Sequence, residues 1–386
     1  MVFETIASAI PPPRQCGHYT KKVKLGIIGL PQSGKTTIFN ALTRGNRPVG
    51  PLHMTGGGRF EVQTAVVPVP DERVDVLSGM FKPRKTIYAQ VAYADISGVE
   101  ASGEKGGFSG PLLNQLTTMD GLLHVVRAFD NPLVPHPLGS VDAQRDLVSV
   151  DEELLLNDML AVERKLQRLD EESKKGIVKD KGLHAQELAL FTQFQAALAA
   201  GKPLREVAVG PAEEKLLSSY QLLTRKPMLV VLNVGDEGAS QAAPPADAPS
   251  RPMVALQGRL EMEIAQLPPD EAAMFLQEYG IAEPSLNRMI RLSYDLLGLE
   301  SFFTVGEDEV RAWTVRRGAT APEAAGEIHT DLQKGFIRAE VASYPELRQA
   351  GGYPELKAQG KLRVEGKEYI VKDGDILNIR FSPPAK

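Results

Sequence analysis

The sequence predicts an α/β fold: a domain on a buried parallel sheet, interrupted by an inserted helical hairpin and followed by a small, mainly β domain. Three observations predict it. Short apolar runs such as VKLGIIGL (23–30), GLLHVVRAF (121–129) and PMLVVLNV (227–234) have the length and composition of strands buried on both faces. Between 151 and 200 the pattern becomes a heptad seam, with Leu155, Met159, Val162, Leu166 and Leu169 spaced 4, 3, 4, 3. The C-terminal part carries short alternating runs broken by glycines, among them VRAWTV, KLRV, EYIV and ILNIRF.

Composition sets the outer limits. The chain has 386 residues, 42% hydrophobic and 24% charged, as an ordinary globular protein does. That length can bury a sizeable core in more than one domain. A net charge of −5 excludes a surface that is basic throughout and leaves room for a local basic patch. The single cysteine, Cys16, excludes an intramolecular disulfide. No run approaches the roughly 18 unbroken apolar residues of a membrane span. The opening MVFETIASAIPPPRQCGHYTKK lacks the basic start and apolar core of a secretory signal. The expectation is a cytoplasmic protein without a membrane partner.

The elements follow in order. Residues 1–22, with Pro11, Pro12 and Pro13, read as a flexible tail, a mis-assigned start codon being the alternative. Val23–Leu30 reads as a strand and TTIFNALTRG as a helix closed by Gly45. Residues 46–64 are irregular around three consecutive glycines. AVVPVP (65–70) and IYAQVAYADI (87–96) read as strands, flanking a helix for which Asp71 is the cap. A glycine-rich loop covers 97–110, and 121–129 is the next strand. The seam at 155–169 and a second stretch holding Leu183, Leu190, Phe194 and Ala197 form an antiparallel hairpin, joined by the lysine-rich turn KKGIVKDKG. After the strand at 227–234 come a low-complexity loop, the strand MVAL (253–256) and helices to about Leu299. The expected division is tail 1–22, first part of the α/β domain 23–148, helical insertion 149–223, second part 224–302 and C-terminal domain 303–386.

The strongest chemical signal is GLPQSGKT, Gly29 to Thr36, which fits G-x-x-x-x-G-K-[ST] with a strand before it and a helix after it. Glycines let successive N–H groups turn inward around a phosphate, and the helix N-terminus adds its positive end. Pro31, Gln32, Ser33, Gly34, Lys35, Thr36 and Thr37 are therefore the expected phosphate cradle. Lys35 would neutralise the β- and γ-phosphates as a catalytic group, and Thr36 would ligate Mg²⁺. A chance match in a glycine-rich turn is the alternative that the flanking elements argue against. The expected fold of this part is that of a P-loop NTPase domain of Ras-like type.

Two weaker signals gain meaning from their order behind that loop. Asp95 ends a strand in Asp95-Ile96-Ser97-Gly98, where a carboxylate can hold Mg²⁺ and the Gly98 N–H can approach the γ-phosphate. The next residue, Val99, cannot orient a water, although many GTPases place a glutamine there. Asn233-Val234-Gly235-Asp236 follows a strand where GTPases carry N-K-x-D. Asp236 keeps guanine recognition open and Val234, in place of Lys, weakens it. Gln257, just after MVAL, completes the expected nucleotide contacts.

Together these residues resemble the YchF/Ola branch of the Obg-like P-loop NTPases. The resemblance runs from Val23 to Phe381 and is densest in VKLGIIGLPQSGKTTIFNALT, VVPVPDERVD, HVVRAFDN, EPSLNRMIR, EVRAWTVRRGATAPEAAGEIHTDLQKGFIRAEV and EGKEYIVKDGDILNIRF. It implies a P-loop domain with a coiled-coil arm and a C-terminal TGS domain, a ubiquitin-like β-grasp module. It further implies ATP preferred to GTP, a hydrophobic residue at the glutamine position, and association with ribosomes. By position Asn233 and Val234 match the family's base-contacting pair. His136 matches a mobile-loop histidine that helps position water, an ordinary loop histidine being the other reading.

The chain also departs from the family. Asp236 stands where the family has Glu. GGGRF, with Arg59, replaces the segment bearing a Mg²⁺-ligating threonine, for which Thr55 is the loose substitute. The family cysteine near that segment is missing. These changes mark a divergent member.

The implied cofactor is Mg²⁺ with ATP or GTP. The implied partner is the ribosome, through its large subunit, or RNA, met by the helical arm and the TGS domain, with no DNA specificity. Residues 301–386 hold 13 Lys+Arg and 13 Asp+Glu, so that segment has no net charge with which to attract RNA. Arg311, Arg316 and Arg317 around Trp313 form a local basic and aromatic cluster, while core packing of Trp313 is the alternative. Lys174, Lys175, Lys179 and Lys181 at the arm's turn are either an RNA contact or a solvated tip. The leading function is a slow Mg²⁺-dependent ATPase, or GTPase, acting as a translation switch. The alternative is a nucleotide-gated RNA or ribosome binder with negligible hydrolysis. A small-molecule kinase fits the arm and the C-terminal domain poorly.

Overall fold

The structure is a computed structural model that describes residues 23–45, 62–96, 110–217, 219–235 and 251–382. The expectations for residues 1–22, Thr55, Arg59, Gly98, Val99 and Asp236 lie outside the described residues. In chain order the elements are β1 (Lys24–Ile28), α1 (Lys35–Thr43), β2 (Gln63–Pro68), α2 (Glu72–Phe81), β3 (Lys85–Ile87), β4 (Gln90–Asp95), α3 (Gly110–Thr117), β5 (Gly121–Ala128), α4 (Ala143–Lys174), α5 (Lys181–Ala199), α6 (Pro211–Leu217), β6 (Met228–Val234) and β7 (Met253–Leu256). There follow α7 (Gly258–Gln266), α8 (Pro269–Glu278), α9 (Ser285–Leu296), β8 (Leu299–Val305), β9 (Glu309–Arg316), α10 (Ala321–Ile328), α11 (Thr330–Lys334), β10 (Phe336–Ser343), α12 (Tyr344–Ala350), α13 (Tyr353–Ala358), β11 (Arg363–Glu365) and β12 (Asp375–Phe381).

The chain divides into two compact units, one holding 23–65 and 92–289, the other 66–91 and 290–382. The first carries most of a six-stranded sheet, with strands in the order β2-β4-β1-β5-β6-β7. β1 pairs in parallel with β4 and β5, and β6 with β5 and β7. β6 is buried at every position, which is why its sequence runs apolar without alternation. The first turns of α4 cover one face: Leu147 packs with Val126, Val230 and Val234, and Val150 and Leu154 pack with Ile28, Ile96 and Leu122. Parallel pairing brings the C-terminal ends of β1, β4, β5 and β6 to one edge, where open α/β sheets hold ligands.

The hairpin forms as the seam predicts. Asp142 caps α4 by accepting from the Arg145 N–H, and Asp180 caps α5. Val162, Leu190, Phe191 and Phe194 are buried between the helices, with Leu155, Met159 and Leu166 packed alongside. Leu183 lies outside this core, 42% exposed. At the root, buried Asp158 accepts from the N–H groups of Leu223 (2.8 Å) and Thr224 (2.7 Å) and from the Thr224 hydroxyl (2.6 Å). These three bonds tie α4 to the chain that re-enters the sheet. α4 is thus two things in one helix, a cover for the sheet and half of the arm.

The second unit is a mixed sheet in the order β11-β10-β12-β8-β9-β3. Ala321, Ala324 and Ala325 of α10 pack on Phe302, Val341 and Leu377, a helix laid across a sheet. Trp313 belongs to this packing. Its ring stacks on Phe302 with centroids 6.4 Å apart, its Nε1–H donates to Thr304 Oγ1 at 2.9 Å, and the Arg311 guanidinium lies 3.9 Å from its centroid.

One expectation is corrected. The run 87–96 is not one strand. It breaks at Tyr88-Ala89, so that β3 pairs with β9 in the second sheet and β4 with β1 in the first. β3, Lys-Thr-Ile, is largely exposed, whereas β4 is buried from Val91 to Asp95, and backbone pairing assigns the two to different sheets.

Candidate functional site

The loop between β1 and α1 has the backbone its glycines permit. Gly34 sits at φ +95° as the N-cap of α1, and a Cβ there would lie 2.1 Å from Asn233 Nδ2. A Cβ on Gly29 would meet the Val125 carbonyl oxygen at 2.2 Å. Gln32 itself takes φ +63°. The loop is therefore a close-fitted cradle whose N–H groups line the start of α1.

Lys35 is 8% exposed and folds back over the loop, donating to the carbonyls of Gly29 at 2.9 Å and Leu30 at 2.8 Å. Burial lowers its pKa to about 8, an effect that nearby Asp95 opposes. Carbonyl oxygens are weak partners for an ammonium group, so an anion entering the loop would replace them with charge-assisted bonds. The side chain is held at the loop and ready for exchange. Ser33 Oγ and Gln32 Oε1 are buried without a hydrogen-bond partner, two more polar groups of the cradle left to a ligand.

Thr36 and Asp95 come together although 59 positions separate them. Thr36 Oγ1 donates to Asp95 Oδ2 at 3.2 Å, and Asp95 is 4% exposed at the end of β4. The register of β4 against β1, Asp95 beside Ile27, places the carboxylate next to the loop. A hydroxyl and a carboxylate are the hard oxygen donors that Mg²⁺ takes. Among the described residues no group of three or more His, Cys, Asp or Glu side chains could hold a metal. A metal at Thr36 and Asp95 would complete its shell with phosphate oxygens and water, as Mg²⁺ bound with a nucleotide does.

Asn233 connects the loop to the next segment of the site. Its Nδ2 donates to the Ser33 carbonyl at 3.0 Å, and its Oδ1 accepts from the Gly258 N–H at 3.0 Å. These two bonds clamp the loop to the start of α7; a side-chain amide has two N–H donors and two lone pairs on its oxygen, so the clamp is compatible with the expected base contact. Val234 lies beside it on β6. Alternation along β6 turns it to the face opposite Asn233, where it is 5% exposed against Leu147 and Val126. Its side chain contributes packing at that place. Gln257 Nε2 donates to the Gly235 carbonyl at 3.4 Å and closes the β6 and β7 ends together. Thr37 is buried in the first turn of α1, and Pro31 is half-buried in the loop.

His136 has partners on both sides of its ring. It is 8% exposed, with Nε2 at 2.7 Å from Asp146 Oδ2 and Nδ1 accepting from the Leu138 N–H at 3.1 Å. Arg145 holds the other oxygen of Asp146. Both ring nitrogens are engaged, so in this conformation the imidazole fastens the loop after β5 to the first turn of α4 and has no nitrogen for a water.

Two residues went unassigned from sequence. Arg127, 1% exposed, is the β5 partner of Asn233; it donates to the Phe129 and Val134 carbonyls at 3.1 and 2.8 Å and lies 4.5 Å from the Phe129 ring centroid. Phe129 in turn packs under Gly235. The signal was a lone arginine inside the otherwise apolar GLLHVVRA. His124, on the same strand, is fully buried and held neutral, its pKa pushed down to about 3 by burial and by the cations Arg251, Lys35 and Arg205.

Comparisons with known proteins agree with this geometry. Residues 299–382 match the family described as YchF-GTPase_C, a protein family of unknown function. The chain is 37% identical to the ribosome-binding ATPase YchF of Bacillus subtilis, over 92% of this chain and 98% of that protein. It is 39% identical to the ribosome-binding ATPase YchF of Haemophilus influenzae, over 93% and 99%, and 35% identical to the Obg-like ATPase 1 of rice, over 95% and 94%. The solved structure of the Schizosaccharomyces pombe YchF GTPase superposes with a TM-score of 0.80 at 30% identity, over 93% of this chain and 98% of that one.

Proposed function

Because the chain belongs to the YchF branch of the Obg-like P-loop NTPases, we propose that it is a slow Mg²⁺-dependent nucleoside triphosphatase, acting on ATP before GTP, that serves as a ribosome-associated switch. The observation that carries the reading is the assembly of Lys35, Thr36 and Asp95 around one phosphate-sized loop, with each side chain already at its post. Relatives bearing the names ribosome-binding ATPase and Obg-like ATPase support the nucleotide and the partner.

In this reading the loop N–H groups and Lys35 hold the β- and γ-phosphates and spread the charge that develops on the transferred phosphoryl group. Mg²⁺ arriving with the nucleotide would be held by Thr36 and Asp95 and would add its own charge there. Asn233 keeps the loop in binding geometry, and Val234 offers no cation to lie along a base. Slow turnover is the expectation from two positions. Val99 cannot serve, and His136 is engaged on both nitrogens.

The same engagement of His136 favours a second reading, a nucleotide-gated binder with negligible hydrolysis. Single-turnover hydrolysis of ATP and GTP, with and without purified 70S ribosomes, separates the two. Slow turnover that ribosomes accelerate supports the switch that hydrolyses. No phosphate release in either case leaves the binder. Calorimetry with Mg²⁺ then tests the base: a tenfold advantage for ATP, about 1.4 kcal/mol, is the expected result, and tighter GTP binding overturns the preference.

A further inference from the structure

We propose that α8 is a docking face for a protein partner, engaging a basic polypeptide segment that carries apolar anchors. The ten residues of α8 include none that is buried. Met274 is 68% exposed and Tyr279, at its C-terminal end, 64%. Phe275 stacks on Tyr279 with centroids 4.3 Å apart and planes at 19°, which holds a flat aromatic pair at the surface. A helix this short is marginal in water without a packed face. Methionine and paired aromatics are the side chains that adapt to and anchor a partner.

The charge around the patch selects the occupant. Residues 260–284 contain six carboxylates and no Lys or Arg. Glu261 is turned inward on the Ser285 N–H, and Glu263 pairs with Arg259. Glu283, after α8, has a partner of its own; Asp270, Glu271 and Glu278 remain on α8 itself, and none of these three has an ion pair among the described residues. An acidic rim around apolar anchors repels RNA phosphates and repels a second copy of itself. It complements a segment in which Lys or Arg alternates with Leu, Ile or Phe. The face lies one helix from the phosphate loop, since α8 follows α7, and α7 begins at the Gly258 N–H bound by Asn233.

The test uses the full chain and a fluorescein-labelled 18-residue amphipathic Lys–Leu peptide, read by fluorescence polarisation. The expected result is saturable binding that Met274→Ser/Tyr279→Ser and Glu271→Lys/Glu278→Lys each weaken at least tenfold while ATP affinity holds, showing that the variants fold. An oligolysine of equal charge should bind at least tenfold more weakly. Binding untouched by either double variant overturns the proposal, as does oligolysine binding as tightly as the peptide. So does an RNA oligonucleotide that competes at this face, or a wild-type dimer that Met274→Ser/Tyr279→Ser dissociates. Peptide affinity that rises on deleting residues 1–22 also overturns it, by naming the chain's own N-terminal segment as the occupant.

Discussion

Replacing Asn233 by Ala tests whether this residue clamps the loop or reads the base. The side chain makes two buried bonds, to the Ser33 carbonyl and from the Gly258 N–H, each 3.0 Å long. Truncation leaves both backbone groups without that partner at a site that is 4% exposed. A buried polar group left unsatisfied costs about 1–3 kcal/mol, so the pair is worth roughly 2–4 kcal/mol after partial relaxation. Part of this appears as lower stability of the free protein, measured from the urea midpoint at constant slope. The rest appears on nucleotide binding, because the loop must then be ordered by the ligand. A share of about 1.4 kcal/mol would weaken binding tenfold. The decisive feature is that ATP, GTP and inorganic triphosphate should all lose affinity by the same factor in calorimetry, since the clamp acts on the phosphate loop. Loss confined to one base, with triphosphate affinity and the urea midpoint unchanged, would refute the clamp and return Asn233 to base recognition.

Three further outcomes follow from the same geometry. Lys35 in the free protein has its pKa lowered by burial to about 8, and a bound polyphosphate favours the charged form and raises it; nucleotide affinity should therefore hold below pH 8 and fall as pH rises above it, and Lys35→Met should remove both the affinity and this pH dependence in calorimetric titrations. His136→Ala leaves Asp146 buried without its imidazole partner and should lower stability by about 2–4 kcal/mol, while single-turnover hydrolysis changes by less than about threefold; a hundredfold loss of hydrolysis at unchanged stability would show a catalytic histidine instead. Asp158→Ala removes three hydrogen bonds at the arm root and should cost about 2–4 kcal/mol, with hydrogen exchange accelerating at Leu223 and Thr224 first; Asp158→Asn keeps one acceptor oxygen for Thr224 but sets an NH2 donor against the Leu223 N–H, so it too should destabilise the arm root.

Much of the site was legible because its chemistry is local in sequence. The phosphate loop is eight consecutive residues, and the glycine conformations, the lysine and the helix start all follow from that string. Asp95 was legible by order, an acid at a strand end behind the loop, and β4 does set it beside Thr36. The heptad seam likewise marked the hairpin, since a 4, 3 repeat has few other uses. What sequence reasoning could not read is which neighbour each side chain meets. Asn233 and Val234 sit next to each other, yet strand alternation sends one to the loop and the other into the α4 core. His136 has the reactivity for water positioning, but Asp146 and the Leu138 N–H occupy it. The run 87–96 looked like one strand because strand propensity carries no record of its pairing partner.

The sequence by itself therefore determined the phosphate-binding loop, the metal-ligand candidates, the α/β class with its arm, and the family, because periodicity and glycine placement act through near neighbours along the chain. Only the tertiary structure showed that Asn233 bridges the loop and the start of α7, that His136 meets Asp146, that Arg127 supports the loop after β5, and that β3 and β4 join different sheets. Those outcomes come from contacts between residues tens to hundreds of positions apart, and a single side chain has only a few donors and acceptors. Which neighbours take them is set by the packing of distant segments, and the order of residue types along the chain does not record it.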